Sequence, residues 1–352
     1  MCRGDGRRSL IAMLVVRPAQ VDDVDQLFDM IQDAELGLST LKISKELLAD
    51  RIDESVRAFS KTDAKPNGQP YVFVMEDMAH GQVVGTSAIY SKVGGFQPFY
   101  SYEVKTVVKK CEDLQVEKEI QYLDLHTTHS GPTEIGSLFL SHKYQGHGNG
   151  RLLSLSRFLF MAEFLQRFEA DTIAEMRGVV HNDGKSPLWD SLGSHFFQIG
   201  YPRAETQTLE NKKFIAELMP RHPIYVPLLP QAAQEVLGQV HQKTIPAKAL
   251  LEQEGFAFNN FVDIFDGGPT LQSTTNQIRC VAESKTFTVK AIQQAAEGER
   301  FLIANRKLDF RATSGQLQID GDSVVVDEST ASRLNLKVGD SLRAVTPRKQ
   351  TT

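Results

Sequence analysis

The chain has 352 residues, of which 41% are hydrophobic and 24% are charged, proportions that are ordinary for a folded globular protein. This length predicts two domains, or one large domain with an appendage. A formal net charge of −5 argues against a broad nucleic-acid-binding surface, and no apolar run reaches the roughly 20 residues that cross a bilayer. The three widely spaced cysteines are typical of reduced thiols, so we expect a cytoplasmic protein without membrane or nucleic-acid partners.

Residues 1–12 are expected to form a disordered leader. They are basic and lead into a short apolar run, as a signal peptide does, but the run continues into Arg17-Pro18 without a small-residue cleavage site. We therefore interpret Leu14 to Val16 as the first buried strand. Met13 is a second candidate for the start of translation.

Two helices and a hairpin are predicted next. Apolar residues recur at helical spacing over 24–31, after a capping aspartate, and again over 45–59. Two β-rich runs, 71–75 and 83–90, are joined by a turn that contains His80-Gly81. Residues 91–133 are interpreted as irregular, apart from one strand at 102–107.

A glycine-rich turn follows a short apolar strand at 135–140. The turn reads Gln145-Gly146-His147-Gly148-Asn149-Gly150 and precedes a helix predicted over 151–168. Such a turn brings backbone N–H groups close to an anion at the positive end of a helix. The alternative is a glycine-rich connection that binds no ligand.

The spacing of these glycines separates three phosphate-binding patterns. A dinucleotide fingerprint that starts at Gly146 needs glycine where Arg151 stands, and a P-loop needs a lysine after Gly150. The remaining pattern, Q/R-x-x-G-x-G/A, is satisfied by Gln145, Gly148 and Gly150. In this it resembles the pyrophosphate-binding turn of acyl-CoA-dependent N-acyltransferases of the GNAT superfamily.

Other segments resemble the same superfamily in the same order. They are the opening strand and helix, the hairpin at 71–85, and a helix at 246–254 that ends at Gly255 before a strand at 256–265. The resemblance implies an α+β fold, with a GNAT-like mixed and mostly antiparallel sheet flanked by helices. A strand at 172–180 is expected within this core, which spans 13–270 and carries an insertion at 181–244. The alternating pattern after it predicts a small β-rich module at 271–352.

Several blocks are similar to one family in particular, the bacterial arginine N-succinyltransferases. These blocks are 138–140, 148–158, 174–178, 214–220, 222–225, 238–241 and 263–270. The resemblance implies transfer of the succinyl group of succinyl-CoA to the α-amino group of L-arginine in arginine catabolism, with no permanently bound cofactor. It also implies that His241 is the proton donor and that Leu138 contacts succinyl-CoA. The alternatives are another amine, such as ornithine, and a binding subunit of a hetero-oligomer.

The chemistry of amide formation is consistent with these roles. Backbone N–H groups near Leu138 can stabilise an oxyanion, and a histidine can supply a proton to the departing thiolate. The residue pattern alone does not rank His241 above His222. His126 and His129 are three residues apart but lie in a predicted loop without a third ligand, so we expect no metal site.

Charge complementarity supplies further candidates. A guanidinium prefers a carboxylate partner, for which Glu175, Glu217 and Asp266 are candidates, and Arg177 is a candidate for the succinyl carboxylate. Ordinary ion pairs are the alternative for each of them. The candidates for CoA binding are Leu138, Gln145, Gly146, Gly148, Asn149 and Gly150. The expected partners are arginine and succinyl-CoA, and a homo- or hetero-oligomer is possible.

Overall fold

The computed structural model describes residues 13–32, 44–62, 65–95, 97–210 and 212–348, so the predicted leader lies outside the described residues. The strands are β1 (Leu14–Pro18), β2 (Pro70–Asp77), β3 (Gln82–Tyr90), β4 (Phe99–Cys111), β5 (Val116–Thr128), β6 (Thr133–Leu140), β7 (Asp171–Glu175), β8 (Ile224–Tyr225), β9 (Ala257–Val262), β10 (Pro269–Thr274), β11 (Lys285–Gln293), β12 (Glu299–Asn305), β13 (Ala312–Asp320), β14 (Ser323–Asp327) and β15 (Ser341–Val345). The helices are α1 (Val24–Gln32), α2 (Lys45–Ser60), α3 (Asn149–Glu163), α4 (Pro187–Ser191), α5 (Gly193–Phe197), α6 (Tyr201–Glu210), α7 (Lys213–Leu218), α8 (Gln231–Val236), α9 (Ile245–Gln253), α10 (Arg279–Glu283) and α11 (Glu328–Leu334). No described helix has the length and apolar character that a membrane span requires.

The core is one sheet with the order β1-β2-β3-β6-β7-β10-β9-β4-β5-β8. Its neighbouring strands are antiparallel except β6 and β7, which run parallel. Helices cover both faces of β2, since Tyr71, Phe73 and Met75 pack in one apolar cluster with α3 and Val72 and Val74 pack in another with α1 and α2. The predicted class, a mixed α+β fold with a mostly antiparallel sheet, is confirmed.

The C-terminal module is a closed barrel. Strands β11 to β15 pair in the cyclic order β12-β15-β11-β14-β13 and back to β12, around apolar side chains such as Val289, Ile303 and Leu342. The expectation of a β-rich module is therefore confirmed. Its boundary differs from the predicted residue 270, because β10 lies between β7 and β9 and α10 packs against α3. The core thus continues to Glu283.

Helix α3 lies between the sheet and this barrel. Side chains all round the helix are buried, including Leu153, Phe158 and Phe160, which explains its high apolar content. The helix ends at Glu163, earlier than the predicted residue 168, because the backbone at Phe164 leaves helical geometry at φ −129° and ψ 46°.

Two predictions of local structure were wrong. The stretch 91–133 is mostly a long hairpin, with β4 and β5 of 13 residues each, and His126 lies within β5 rather than in a loop. The outer half of this hairpin is exposed on both faces, so its sequence carries no apolar alternation. The strand predicted over 172–180 ends at Glu175, because the chain then turns against Asp266. A Cβ at Gly178 would lie 2.4 Å from the carbonyl oxygen of that residue.

The insertion at 181–244 forms a second apolar core. Trp189 lies fully buried at its centre, stacked between Phe197 and Phe265, and donates its indole N–H to the carbonyl oxygen of Ile199 at 2.8 Å. This core packs against β4, β5 and β9 through residues such as Tyr102. Residues of the insertion such as Tyr201 and Glu205 form one wall of the cavity described next, which Glu134 of β6 and Glu175 of β7 also line.

Candidate active site

A β-bulge in β6 creates the opening in the sheet. The register with β3 shifts between Thr86↔Phe139 and Ala88↔Gly136, so β6 carries one extra residue there, and Ser137 has a φ of 51°. Pairing between the parallel strands β6 and β7 stops at Glu134↔Ile173. The two strands separate beyond this point, and the residues of the bulge face a cavity.

The cavity has a volume of about 310 Å³ and lies between the core and the insertion. The bulge contributes Gly136, Ser137 and Leu138, so the predicted CoA contact Leu138 lies on its wall. Five acidic and three basic side chains also line it: Glu134, Glu175, Glu205, Asp263, Asp266, Arg157, Arg177 and Lys212. This excess of acidic groups suits a cationic ligand.

Within the part of the chain that the structure describes, Glu175 has an unpartnered carboxyl oxygen on the cavity wall. Its Oε1 atom is buried without a hydrogen-bond partner among the described residues. Burial raises the pKa of Glu175 well above its usual value, and the nearby carboxylates of Asp263 and Glu134 raise it further. A bound cation would reverse this effect, because an opposite charge favours the ionised form.

Asp263 and Asp266 also have structural roles. Asp266 accepts backbone N–H bonds from Gly178 at 2.9 Å and Gly268 at 2.8 Å, which joins the end of β7 to the turn before β10. Asp263 accepts backbone N–H bonds from Phe265 at 2.7 Å and Asp266 at 2.8 Å. The structure thus brings the predicted Asp266 into the cavity wall, with both carboxylate oxygens already bonded.

Arg177 is anchored by the insertion. Its Nη1 donates to Glu205 Oε1 at 3.0 Å, and its guanidinium lies 5.9 Å from the ring centroid of Tyr201. Its Nε atom is buried without a partner among the described residues. The predicted strand 172–180 would contain both Glu175 and Arg177, but β7 ends at Glu175 and Arg177 lies beyond it. Both residues nevertheless line the cavity.

Arg157 reaches the cavity from α3. The residue is 2% exposed, and its Nη1 donates to the carbonyl oxygen of Gly136 in the bulge at 3.3 Å. Burial alone lowers the pKa of Arg157 to about 9, so the group still carries its charge at neutral pH.

His241 is hydrogen-bonded to Arg177, which lines the cavity. Its backbone N–H donates to the carbonyl oxygen of Arg177 at 2.9 Å, and its Nδ1 accepts the backbone N–H of Lys243 at 3.1 Å. The proton of the neutral ring is therefore on Nε2. Burial lowers the pKa of His241, and the positive charges of Arg177 and Lys243 lower it further, so the ring is neutral at neutral pH.

The glycine turn leads into α3 as predicted. Gly146 and Gly148 have φ values of +94° and +85°, which side-chain-bearing residues rarely adopt. Gln145 Nε2 donates to the carbonyl oxygen of Leu140 at 3.2 Å, and Asn149 Nδ2 donates to that of Tyr144 at 2.9 Å. These two side chains hold the turn together, and backbone groups are left for an anion at the helix start.

Two earlier candidates lie outside the cavity wall. Glu217 is exposed on α7 and pairs with Lys213 at 3.7 Å, as an ordinary surface ion pair does. His222 is likewise exposed. The structure therefore separates His241 from His222, which the residue pattern alone did not.

Several cavity residues were missed by sequence reasoning. Two of them carried a signal, because Glu134 and Arg157 are single charges within apolar stretches of β6 and α3. Asp263 lies in the block 263–270, which resembles the family but carries no chemical signal of its own. Tyr201, Glu205 and Lys212 belong to the insertion, whose position against β6 and β7 depends on tertiary packing.

Comparisons with known proteins agree along nearly the whole chain. The family model described as arginine N-succinyltransferase beta subunit matches residues 14–280, and that of its C-terminal domain matches residues 285–346. Arginine N-succinyltransferase subunit beta of Pseudomonas aeruginosa is 41% identical over 334 residues, which cover 94% of this chain and 98% of that protein. Arginine N-succinyltransferase of an Enterobacter species is 41% identical over 337 residues, which cover 95% of this chain and 97% of that protein.

A solved structure has the same fold. The arginine/ornithine succinyltransferase subunit AI from Pseudomonas aeruginosa superposes with a TM-score of 0.87 at 35% identity, covering 96% of this chain and 99% of that one. The agreement includes the core, the insertion and the barrel. The chain belongs to the arginine N-succinyltransferase family.

Proposed function

We propose that this chain transfers the succinyl group of succinyl-CoA to the α-amino group of L-arginine, giving N2-succinyl-L-arginine and CoA in arginine catabolism. The observation that carries the proposal is the acidic cavity beside the bulge of β6, with the unpartnered Glu175 on its wall. Family membership supports the same reaction. Succinyl-CoA is a co-substrate in this proposal and not a resident cofactor.

The reaction needs the α-amine in its neutral form. Its nitrogen attacks the thioester carbonyl carbon, a C–N bond forms and the C–S bond breaks. One amine proton remains on the amide and the other ends on sulfur, so the products are the amide and the CoA thiol. In this proposal backbone N–H groups of the bulge around Leu138 stabilise the oxyanion that forms on the carbonyl, which the irregular pairing of β6 with β3 at this point supports.

His241 acts in this scheme as a neutral N–H donor. Because Nδ1 accepts the Lys243 N–H, Nε2–H is the ring atom that can donate to sulfur as the thioester opens. The ring stabilises the leaving thiolate without a net change in its own charge. This assignment differs from the proton-donor role that the family resemblance implies, because His241 donates a hydrogen bond and keeps its proton, while the proton that ends on sulfur comes from the amine.

The substrates would enter from two directions. The glycine turn at the start of α3 is suited to the pyrophosphate of CoA, and a chain that runs from there between β6 and β7 reaches the bulge. The guanidinium of arginine would lie against Glu175, where a paired carboxylate and guanidinium form two parallel hydrogen bonds. Ornithine is a second candidate, since the solved relative is described as an arginine/ornithine succinyltransferase subunit.

The first experiment measures thiol release from succinyl-CoA with arginine and with ornithine. We expect release that depends on the amino acid, and release at the background rate would contradict the proposal. Glu175→Gln should raise the KM for arginine by about 10–100-fold, because one charged hydrogen bond is lost. The matched control is Glu217→Gln, which changes an exposed carboxylate outside the cavity and should leave KM within about twofold of wild type.

The number of subunits is a separate proposal. The Pseudomonas aeruginosa relative is named a beta subunit, so we propose that this chain assembles with further subunits. Light scattering measures the mass of the purified chain, alone and after co-expression with a candidate partner subunit. We expect a mass above that of one chain, and a single-chain mass under both conditions would contradict the proposal.

A further inference from the structure

Arg157 occupies an unusual position in α3. It is the only charged residue between Leu152 and Ala162, in a helix that is buried nearly all round. Its guanidinium is within the protein and on the wall of the cavity, although a buried charge is costly unless it is paired. The question is therefore which groups bind this buried charge.

The guanidinium is bonded only to neutral groups among the described residues. Nε donates to the carbonyl oxygen of Ser154 at 3.0 Å, Nη2 donates to Ser154 Oγ at 2.8 Å, and Nη1 donates to the carbonyl oxygen of Gly136. An arginine has five N–H donors. Within the described part of the chain, one N–H on each terminal nitrogen is thus left over, as a bidentate carboxylate requires.

The carboxylates on the cavity wall affect the ionisation of Glu175 but not that of Arg157. Burial is the only cause that shifts the pKa of Arg157, and none of the carboxylates on the cavity wall contributes to it. Glu175, in contrast, is influenced by Asp263, Glu134, Lys212 and Asp266. Among the described residues Arg157 has no ion pair with these carboxylates, and its bond to the carbonyl oxygen of Gly136 places it beside the bulge.

We infer that Arg157 receives the free carboxylate of the succinyl group and so selects a dicarboxylic acyl-CoA. The inference rests on the proposed function. Arg157 is bonded to Gly136, two residues before Leu138, and the succinyl carboxylate is only two methylene groups from the thioester carbonyl. Arg177, the earlier candidate for this role, already pairs with Glu205 at 3.0 Å.

The test compares two acyl donors that differ in this carboxylate. Succinyl-CoA and butyryl-CoA both carry four-carbon acyl groups, and only the former is charged at its end. Wild type should prefer succinyl-CoA in kcat/KM. Arg157→Gln should lower that preference by about 10²-fold or more, since it removes one partner of a buried charge pair. Binding of free CoA should stay within about threefold, because CoA lacks the acyl group.

Arg157→Lys provides the second variant, and it also serves if Arg157→Gln does not fold. A lysine keeps the charge but not the bidentate geometry, so the preference should fall by about tenfold. The matched control is Arg167→Lys. Arg167 is also fully buried and bonded to carbonyl oxygens and Tyr71 Oη, but it does not line the cavity, so its change should leave the preference unaltered.

The outcomes distinguish this inference from the proposed function. If wild type acylates arginine equally well from both donors, the proposed function fails and Arg157 has no carboxylate to select. If wild type prefers succinyl-CoA and the Arg157 variants lose activity with both donors by the same factor, Arg157 only supports the bulge and the inference is overturned. An unchanged preference in folded Arg157→Lys overturns it as well.

Discussion

The ring of His241 is held in place by a hydrogen bond to its Nδ1 atom. Its Nδ1 accepts the Lys243 backbone N–H, so the ring cannot turn without losing a bond at the start of the 3-10 turn Gln242–Thr244 that precedes α9, and its backbone N–H donates to the carbonyl oxygen of Arg177. Burial and two cationic neighbours keep it neutral. The residue is therefore preset as an Nε2–H donor.

His241→Ala should lower kcat by about 10²–10³-fold, the usual cost of removing one donor from a developing negative charge. His241→Gln should recover at least tenfold of this loss, because its side-chain amide is an N–H donor without a titratable ring. The measurement is kcat at saturating concentrations of both substrates. If the glutamine variant is no better than the alanine variant, the ring acts as a base and not as a neutral donor.

The same residue predicts a pH dependence. Its pKa is lowered, so the ring stays neutral down to a pH below the ordinary value of 6.5 and becomes charged only under more acidic conditions. A charged ring loses its Nδ1 acceptor, so kcat should fall as the pH drops through that lowered pKa. The fall should be absent in His241→Gln, and its persistence there would assign it to another group.

Residue roles were only partly predictable from the sequence. Resemblance identified His241 and Leu138, and charge complementarity identified Glu175 and Asp266, all of which the structure places in or next to the cavity. Glu217 failed because the side of α7 that faces solvent depends on how the insertion packs. A residue's chemistry is visible in the sequence, whereas the direction in which it points depends on tertiary contacts.

At the scale of elements, the glycine turn contains glycines of two kinds. Gly146 and Gly148 are required by their positive φ values, which the turn itself imposes. Gly150 has no such value, and a Cβ at this position would meet no atom within 4 Å. Nothing in the described chain requires a glycine there, which is consistent with the proposal that a ligand approaches the backbone at this point.

Gly150→Ala should therefore separate stability from binding. Alanine in a helix is favoured over glycine by about 0.5–1 kcal/mol, so the melting temperature should rise slightly. The affinity for CoA should fall by about tenfold or more, since a methyl group over the backbone N–H groups obstructs a charged hydrogen bond. Calorimetric titration with CoA and thermal unfolding measure the two effects. Unchanged CoA affinity would place the phosphate site elsewhere.

Elements with strong local signals were predicted nearly to the residue. Helix α2 was predicted from the apolar spacing over 45–59, and it begins after Ser44, whose Oγ accepts the Leu47 N–H at 3.3 Å. Strands β4 and β5 lacked such a signal, because much of their length is exposed on both faces. Their pairing with each other, rather than burial against a core, defines them.

At the scale of the molecule, Glu163 joins the core to the barrel. It is the last residue of α3, and both Arg306 and Arg343 of the barrel donate to its carboxylate at 2.9–3.1 Å. Burial opposes its ionisation, but the hydrogen bonds from the two arginines outweigh this and lower the pKa of Glu163. The contact is thus stabilising wherever the carboxylate is ionised.

Glu163→Gln should reduce the free energy of unfolding at neutral pH by about 1–3 kcal/mol, because charged hydrogen bonds across the interface are lost. Since the folded pKa is lowered, this difference should be fully present above the ordinary glutamate pKa and should shrink as the pH falls through the folded value. Denaturant titrations at several pH values measure it. Asp320→Asn, in an exposed pair with Lys290, is the control and should change stability little.

The domain boundary shows what composition could not indicate. The alternating pattern after residue 270 correctly predicted a β-rich module, but β10 has the same kind of pattern and belongs to the core sheet. Which sheet a strand joins depends on its partners, and for β10 these are β7 and β9. The length suggested two units. These are the core and the barrel, which pack together and whose strands form one continuous hydrogen-bonded sheet.

The barrel also touches the first strand of the core. Val16 of β1 pairs with Ala312 of β13, and Thr313 Oγ1 donates to the carbonyl oxygen of Leu14 at 2.8 Å across 299 residues of sequence. At about 5–20 residues per second, a ribosome takes about 15–60 s to make the segment that separates them. Throughout that interval one edge of β1 lacks its final neighbour, and unpaired edges are where strands of other chains attach. The pairing of β13 with β1 thus protects an edge that stays open until residues 312 and 313 have been made.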